Sequence, residues 1–261
     1  MFVYVTDKKS IIRIGVVALA IVAVLVILFV VIGSSGGGGS TPTVAVGDGT
    51  LTPIHRVVVE AKQVALSFDV AWGEPQVPAI LDTLDTFEVK ATFFVAGFWA
   101  KEHPDLVKLI AARGHEIASH SADHLHMAQL SREQIEADLT ANNAIIKKLT
   151  GAAPTLFRPP FGEANDTLVR VALEQGMQTV NWSLDGYDWD GKTAEQVTRQ
   201  IVKNVKAGDI VLLHVNNPAA AKALPDILTF LTGKDYQALT VGQLLLTGAT
   251  VVGRDGVQRA A

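Results

Sequence analysis

Four apolar segments of this chain each run into one ionisable residue. Val64 to Phe68 leads to Asp69, Glu116 to Ser119 to His120, the stretch around Leu156 and Phe157 to Arg158, and Ile210 to Leu213 to His214. One such residue is an ordinary surface position, whereas four in succession point to a shared site. His120 and His124 are spaced i, i+4. On a helical turn that spacing sets both imidazoles on one face, the geometry that chelates Zn²⁺ or a similar divalent ion. Asp123 and His126 beside them make a polar turn an equally economical reading. Arg158 lies in Phe157-Arg158-Pro159-Pro160-Phe161-Gly162, where two prolines fix the backbone. That rigidity suits a guanidinium holding a carboxylate in a set orientation, or a plain loop salt bridge.

These residues need elements that bring them together. From Val57 onward short apolar strands alternate with amphipathic helices. Strands are expected over Val57 to Glu60, Val64 to Phe68, Ala91 to Val95, Glu116 to Ser119, Gln178 to Asn181, Ile210 to Leu213 and, more weakly, Gln237 to Leu239. Helices are expected over Val77 to Phe87, Pro104 to Ala112, Arg132 to Leu149, Asp166 to Gln175, Ala194 to Lys206 and Pro218 to Leu231. The third has a capping-box signal in Ser131 and Gln134, and Gly151 follows its end. Such alternation predicts an α/β fold, a parallel sheet or barrel covered by helices, with its chemistry at the C-terminal ends of the strands.

The chain has 261 residues, 22 Lys plus Arg against 26 Asp plus Glu, no Cys, and 49% hydrophobic side chains. The balance excludes a basic nucleic-acid binder, and the missing cysteines exclude a disulfide framework, a thiolate metal site and a cysteine nucleophile. Ile14 to Ile32 is an uncharged apolar run that would span roughly 28 Å as a helix, close to a bilayer core. It is longer than the apolar region of a secretory signal, so an uncleaved anchor is expected. Lys8, Lys9 and Arg13 precede it and the uncharged tract Gly33 to Ser40 follows. The positive-inside rule then puts residues 1–13 in the cytoplasm, 14–32 in the membrane and the remainder outside, on a flexible lead-in over 33–56. The globular domain is expected over 57–248, with a C-terminal tail over 249–261. Beyond residue 32 there are 19 basic residues against 25 acidic ones, so a ligand must be held by a specific site rather than by bulk positive charge. Gly33-Ser34-Ser35-Gly36-Gly37 fits the nucleophile-elbow pattern, but it lies in the tether with no strand before it and no helix after it.

Taken in order, Ser67-Phe68-Asp69, His120-Ser121-Ala122-Asp123-His124, Arg158-Pro159-Pro160-Phe161-Gly162, Asp185-Gly186-Tyr187-Asp188-Trp189 and Leu212-Leu213-His214 resemble the five ordered motifs of the polysaccharide deacetylases, the NodB-homology or carbohydrate esterase 4 family. The resemblance runs from about Gln63 to Leu246. Ala65 to Glu74 is most similar to the sporulation-associated branch, which has Ala-Ala-Trp-Gly or similar after the first Asp. The resemblance implies a deformed (β/α) barrel that hydrolyses the N-acetyl group from GlcNAc or MurNAc units of a cell-wall or chitin-like glycan. It implies Asp69 as general base, His120 and His124 as ligands of a divalent metal such as Zn or Co, and Arg158 as the residue orienting Asp69. His214 is implied as general acid, tuned by Asp188, with Trp189, Leu212, Pro160 and Phe161 around the substrate. The partners implied are the glycan and, through residues 14–32, the membrane; no nucleic acid and no protein partner is indicated.

The family pattern has a second aspartate directly after the base, and that residue is its usual third metal ligand. Here the position is Val70, which cannot coordinate. Either Glu74, Asp123, His126 or Asp69 itself completes the site, or water does so more weakly, or the metal is lost. Weak divalent binding is therefore expected. A glycan-binding envelope protein that keeps the fold without catalysis is the alternative that Val70 favours.

Overall fold

The structure is a computed structural model that describes residues 44–46, 51–73 and 76–261. Its strands are β1 (Val44–Val46), β2 (Arg56–Val57), β3 (Gln63–Val70), β4 (Thr92–Val95), β5 (Glu116–Ser119), β6 (Leu156–Phe157), β7 (Gln178–Thr179), β8 (Leu184–Asp185), β9 (Ile210–His214), β10 (Gln237–Leu239), β11 (Thr250–Val252) and β12 (Val257–Ala260). Its helices are α1 (Val77–Thr86), α2 (Gly97–Glu102), α3 (Pro104–Ala112), α4 (Arg132–Thr150), α5 (Asp166–Glu174), α6 (Ala194–Asn204), α7 (Pro218–Gly233) and α8 (Val241–Leu244). The expected membrane anchor lies outside the described residues.

The main sheet runs β7-β6-β5-β4-β3-β9-β8, with β10 also paired to β3, and every pair in it is parallel. It is a curled half-barrel wrapped by helices, as the alternation predicted for a parallel sheet or barrel and as the family resemblance implied in its deformed form. β3 shows why its sequence reads as almost continuously apolar. Val64, Leu66, Phe68 and Val70 point into the core shared with the helices, while Ala65 joins the inner cluster with Phe94, Leu156 and Ile210. A strand buried on both faces has no solvent side to alternate with. The helices pack by their expected stripes: α1 buries Val77, Ile80, Leu81 and Leu84, the spacing of one helical face. α4 carries the capping box at Ser131 and Gln134 and ends at Gly151 in the left-handed region.

The chain ends depart from expectation. Residues 249–261 are not a tail, because β11 and β12 form an antiparallel pair that enters a second sheet of order β1-β11-β12-β2. The domain also begins before residue 57: Leu51 and Ile54 are buried, and Ile54 bridges to Val180. These strands are too short to show a hydrophobic period, and the signal that marks them is the turn dipeptide Asp255-Gly256, with Gly256 at positive φ. The strand expected over Val57 to Glu60 is β2 instead.

Gly208 joins the second sheet to the barrel. It has φ +82°, and a Cβ there would overlap the Val57 carbonyl oxygen. Gly208→Ala should therefore destabilise the domain by about 2 kcal/mol or more, left-handed strain plus overlap. Gly191→Ala, at φ +66° with open space around it, should show the backbone strain alone. Thermal unfolding of the two variants side by side checks this.

Candidate active site

Parallel pairing brings the four strand-end residues to one rim. Asp69 and His214 are direct register partners on β3 and β9. Ser119 pairs with Phe157, so the next residues, His120 and Arg158, leave the sheet side by side. The rim opens on a cleft of about 370 Å³ that presents Asp69, His120, His124 and His214 among Phe161, Trp189 and Leu212. Arg158 and Asp188 are fully buried behind it. Pro160, expected near substrate, is buried and does not line the cleft.

Arg158 organises one side. Its Nη1 donates to Asp69 Oδ1 at 2.7 Å, and its Nη2 donates to Ser67 Oγ at 2.8 Å and to the Asn181 carbonyl at 3.1 Å. The guanidinium carbon lies 3.9 Å from the centre of the Phe94 ring and 5.6 Å from that of Trp182. Burial by itself would raise the Asp69 pKa. The charge and hydrogen bond of Arg158, with the charge of His214, outweigh burial and hold the carboxyl below the usual carboxylate range. Asp69 is thus an ionised carboxylate with one oxygen fixed and the other facing the cleft side of His120.

His214 mirrors this arrangement. Its Nδ1 lies 3.0 Å from Asp188 Oδ1, and its backbone N–H donates to Asp188 Oδ2 at 3.0 Å. Burial pushes the imidazole down, but the Asp188 hydrogen bond and the charges of Asp69, Asp188 and Asp185 push it further up, so its pKa lies above the ordinary imidazole value. Asp188 sits in the 3₁₀ turn Asp188–Asp190, entered from Tyr187 at φ 53°.

The two other histidines converge, though not by helical spacing. The loop after β5 is not helical: Ser121 has φ 69° and His124 φ 53°. Ser121 Oγ accepts from the His124 N–H at 3.0 Å, while the carboxylate of Asp138 on α4 accepts from Ser121 Oγ at 3.0 Å and from the Ala122 N–H at 2.9 Å. This polar turn still brings the two imidazole centres to 4.8 Å. His120 Nδ1 donates to the Arg158 carbonyl at 2.8 Å, which leaves the Nε2 lone pair 3.5 Å from Asp69 Oδ2. His124 Nδ1 is buried without a hydrogen-bond partner. Burial holds both imidazoles neutral, His124 down to about 4 with His120 adding to the effect.

Neutral imidazoles with free lone pairs suit a metal. The donor set is nonetheless short. Among the described residues no group of three or more His, Asp or Glu side chains converges to hold an ion. Val70 is fully buried in the helix-side core with Phe68 and Val95, on the face of β3 opposite Ser67 and Asp69. Of the expected substitutes, Asp123 lines a separate hollow with Leu125 and Gln134. His126 pairs with Glu163 at 2.9 Å and stacks on Phe161 at 4.2 Å. Glu74 lies outside the described residues. Among the described candidates only Asp69 stands beside the histidines, and Arg158 already holds it. The described residues do not make the three-ligand site of a catalytic metal.

Ser67, Trp72, Asn181, Trp182, Asp185 and Asn216 belong to this neighbourhood and were missed in the sequence. Ser67 was findable, since it lies two residues before Asp69 on one strand and so shares its face. Asp185, within a quoted motif, accepts from the Tyr187 N–H at 2.6 Å and from Trp189 Nε1 at 3.3 Å, fixing that ring.

The family model for polysaccharide deacetylase matches residues 56–180. A peptidoglycan-N-acetylglucosamine deacetylase of Bacillus cereus is 38% identical over 70% of this chain and 88% of its own length. The chain belongs to the polysaccharide deacetylase family. Among other deacetylases it resembles a chitooligosaccharide deacetylase of Sinorhizobium fredii, 32% identical over 64% of this chain and 79% of that one. Among solved structures it is similar to a pseudoenzyme of carbohydrate esterase family 4 from Bacillus anthracis, 32% identical, with a TM-score of 0.72 over 74% of this chain and 68% of that one. A mutant of that pseudoenzyme, at the same TM-score of 0.72, has restored enzymatic activity. The deacetylase resemblance read from five motifs is thus established, with both active and inactive members nearby.

Two predictions follow from the geometry. The His214 resonances should titrate above pH 6.5, the ordinary imidazole range, and Asp188→Asn should bring the titration down. Because the folded value is raised, the stability this group contributes is present below the unfolded pKa and is lost as pH rises through the folded one. NMR titration of the two proteins checks the direction. Calorimetry with Zn²⁺ should show weak binding, well short of the roughly 10 kcal/mol of a structural zinc site, and His120→Ala should remove what binding there is.

Proposed function

We propose that this protein is a hydrolase that removes N-acetyl groups from GlcNAc or MurNAc units of a peptidoglycan or chitin-like cell-wall glycan. The observation that carries this reading is the pairing of Asp69 with Arg158 and of His214 with Asp188, on neighbouring strands facing one cleft. Each buried partner holds its neighbour in the protonation state that amide hydrolysis needs. Asp69 is kept ionised and can take a proton from an attacking water. His214 is pushed toward its protonated form and can give its proton to the departing amine nitrogen. A binding module needs neither. Leu212 and Trp189 offer apolar walls for an acetyl methyl group.

The domain is proposed to stand outside the cytoplasm on the apolar run 14–32, as the basic flank at Lys8, Lys9 and Arg13 favours. Val70 to Gly73, similar to the sporulation-associated branch, supports a role in the spore cell wall. A second reading has its own observation: Val70 leaves the two histidines without their usual carboxylate, and a family pseudoenzyme is among the similar structures. In that reading the cleft binds glycan without cleaving it.

Acetate release from peptidoglycan fragments and chitooligosaccharides, with and without added Zn²⁺ or Co²⁺, separates the two. Release is expected, and Asp69→Asn and His214→Ala should each reduce it on the order of 10²-fold or more. Absence of release under all conditions, with glycan binding retained, would establish the non-catalytic reading.

A further inference from the structure

We propose that Trp72 is a second sugar-binding platform, taking the hexosamine unit next to the one held between Asp69 and His214. This rests on the reading that the cleft accepts an N-acetylated glycan, but it does not require that the glycan be cleaved.

Trp72 is 55% exposed, although its ring packs against Phe98 at 4.7 Å and meets the edge of His124 at 5.5 Å. An indole tied down on one side and left open on the other offers a ligand a rigid apolar face at little further cost in conformational entropy. The backbone beneath it is also fixed. Gly73 has φ +68°, and a Cβ there would lie only 3.1 Å from Asn216 Cβ, so the loop leaving β3 is seated on the segment leaving β9. Trp72 is therefore presented to the cleft it lines in a set position.

The sheet order gives the platform its place. Phe98 and His124 follow β4 and β5, on one side of β3, whereas Trp189 follows β8, beyond β9 on the other. Trp189 is 58% exposed and fixed through Asp185. Asp69 and His214 thus lie between two exposed, anchored tryptophans. A pyranose in a 1,4-linked chain has two faces of C–H bonds and an edge of hydroxyls, so it can lay a face on an indole while its edge meets polar groups such as Asn216. A single hexosamine that reaches Asp69, His214 and Leu212 leaves Trp72 for its neighbour in the chain.

The test is calorimetry of the protein with N-acetylglucosamine and with its β-1,4-linked disaccharide. Wild type should bind the disaccharide about 10-fold more tightly than the single sugar, the scale of one tryptophan contact of 1.4 kcal/mol. Trp72→Ala should bring that ratio close to one and Trp72→Phe should keep part of it. Val58→Ala, an exposed apolar position outside the cleft, should leave it unchanged. An unchanged ratio in a folded Trp72→Ala protein would overturn the platform and leave the proposed function intact. If wild type binds neither sugar, the glycan reading fails and the platform with it. A lost ratio in a protein that releases no acetate would support the platform while defeating the deacetylase reading.

Discussion

The structure depends on one fully buried guanidinium. Arg158 has no solvent exposure, and removing such a group from water is expensive unless it is paired and hydrogen-bonded. Asp69, Ser67 and the Asn181 carbonyl answer its two terminal nitrogens, Phe94 and Trp182 meet it through their rings, and Nε is left without a partner. Those partners come from β3, β4 and the segment after β7, so one charge ties together strands far apart in sequence. The same contact bears on the chemistry, since burial pushes the Asp69 pKa up and the Arg158 charge is the foremost of the groups that hold it down. The Arg158 carbonyl also fixes His120 through Nδ1 and so selects which imidazole nitrogen keeps its lone pair.

Around that charge the backbone is held in conformations that local preference opposes. Of the non-glycine residues at positive φ among those described, Ser121, His124, Phe161 and Tyr187 all border the cleft or support a residue in it. Each costs on the order of 1–3 kcal/mol and persists only where packing over-determines it. The supports are identifiable. Asp138 and the Ser121 hydroxyl hold the His124 turn, and the stack of Phe161 on His126 accompanies the proline loop. Asp185 accepts the N–H of Tyr187. Such strain lies at the rim and not in the core, as it does where loops on a rigid scaffold carry function.

The division between what the sequence revealed and what it hid follows the range of the forces involved. Helices such as Pro104–Ala112 and Arg132–Thr150 were legible because a 3.6-residue period and a cap are local facts. Asp69, His120, Arg158 and His214 were legible because strand ends in a parallel sheet share a rim. Of the two readings open for His120 to His124, a helical turn and a polar turn, the structure takes the second, since Ser121 adopts a left-handed conformation braced by Asp138, seventeen positions along the chain. The strands Thr250–Val252 and Val257–Ala260 were missed because short strands are defined by their partners rather than by their own pattern. Trp72 gave no signal of its own, because an exposed tryptophan gains meaning only from where Phe98, His124 and Gly73 place it.

Val70 shows how separable the parts of this site are. The buried pairs that set the protonation of Asp69 and His214 do not pass through position 70, whose side chain belongs to the helix-side core with Val95 and Phe68. An aliphatic residue at position 70 therefore leaves the fold, both buried pairs and the aromatic walls in place. His120, by contrast, is tied to the Arg158 carbonyl and stands 3.5 Å from Asp69, so the histidine wall and the Asp69 pair share their supports. A cleft whose charge pairs persist whatever side chain stands at position 70 accords with the presence, among the similar structures, of a pseudoenzyme and of a mutant of it with restored enzymatic activity.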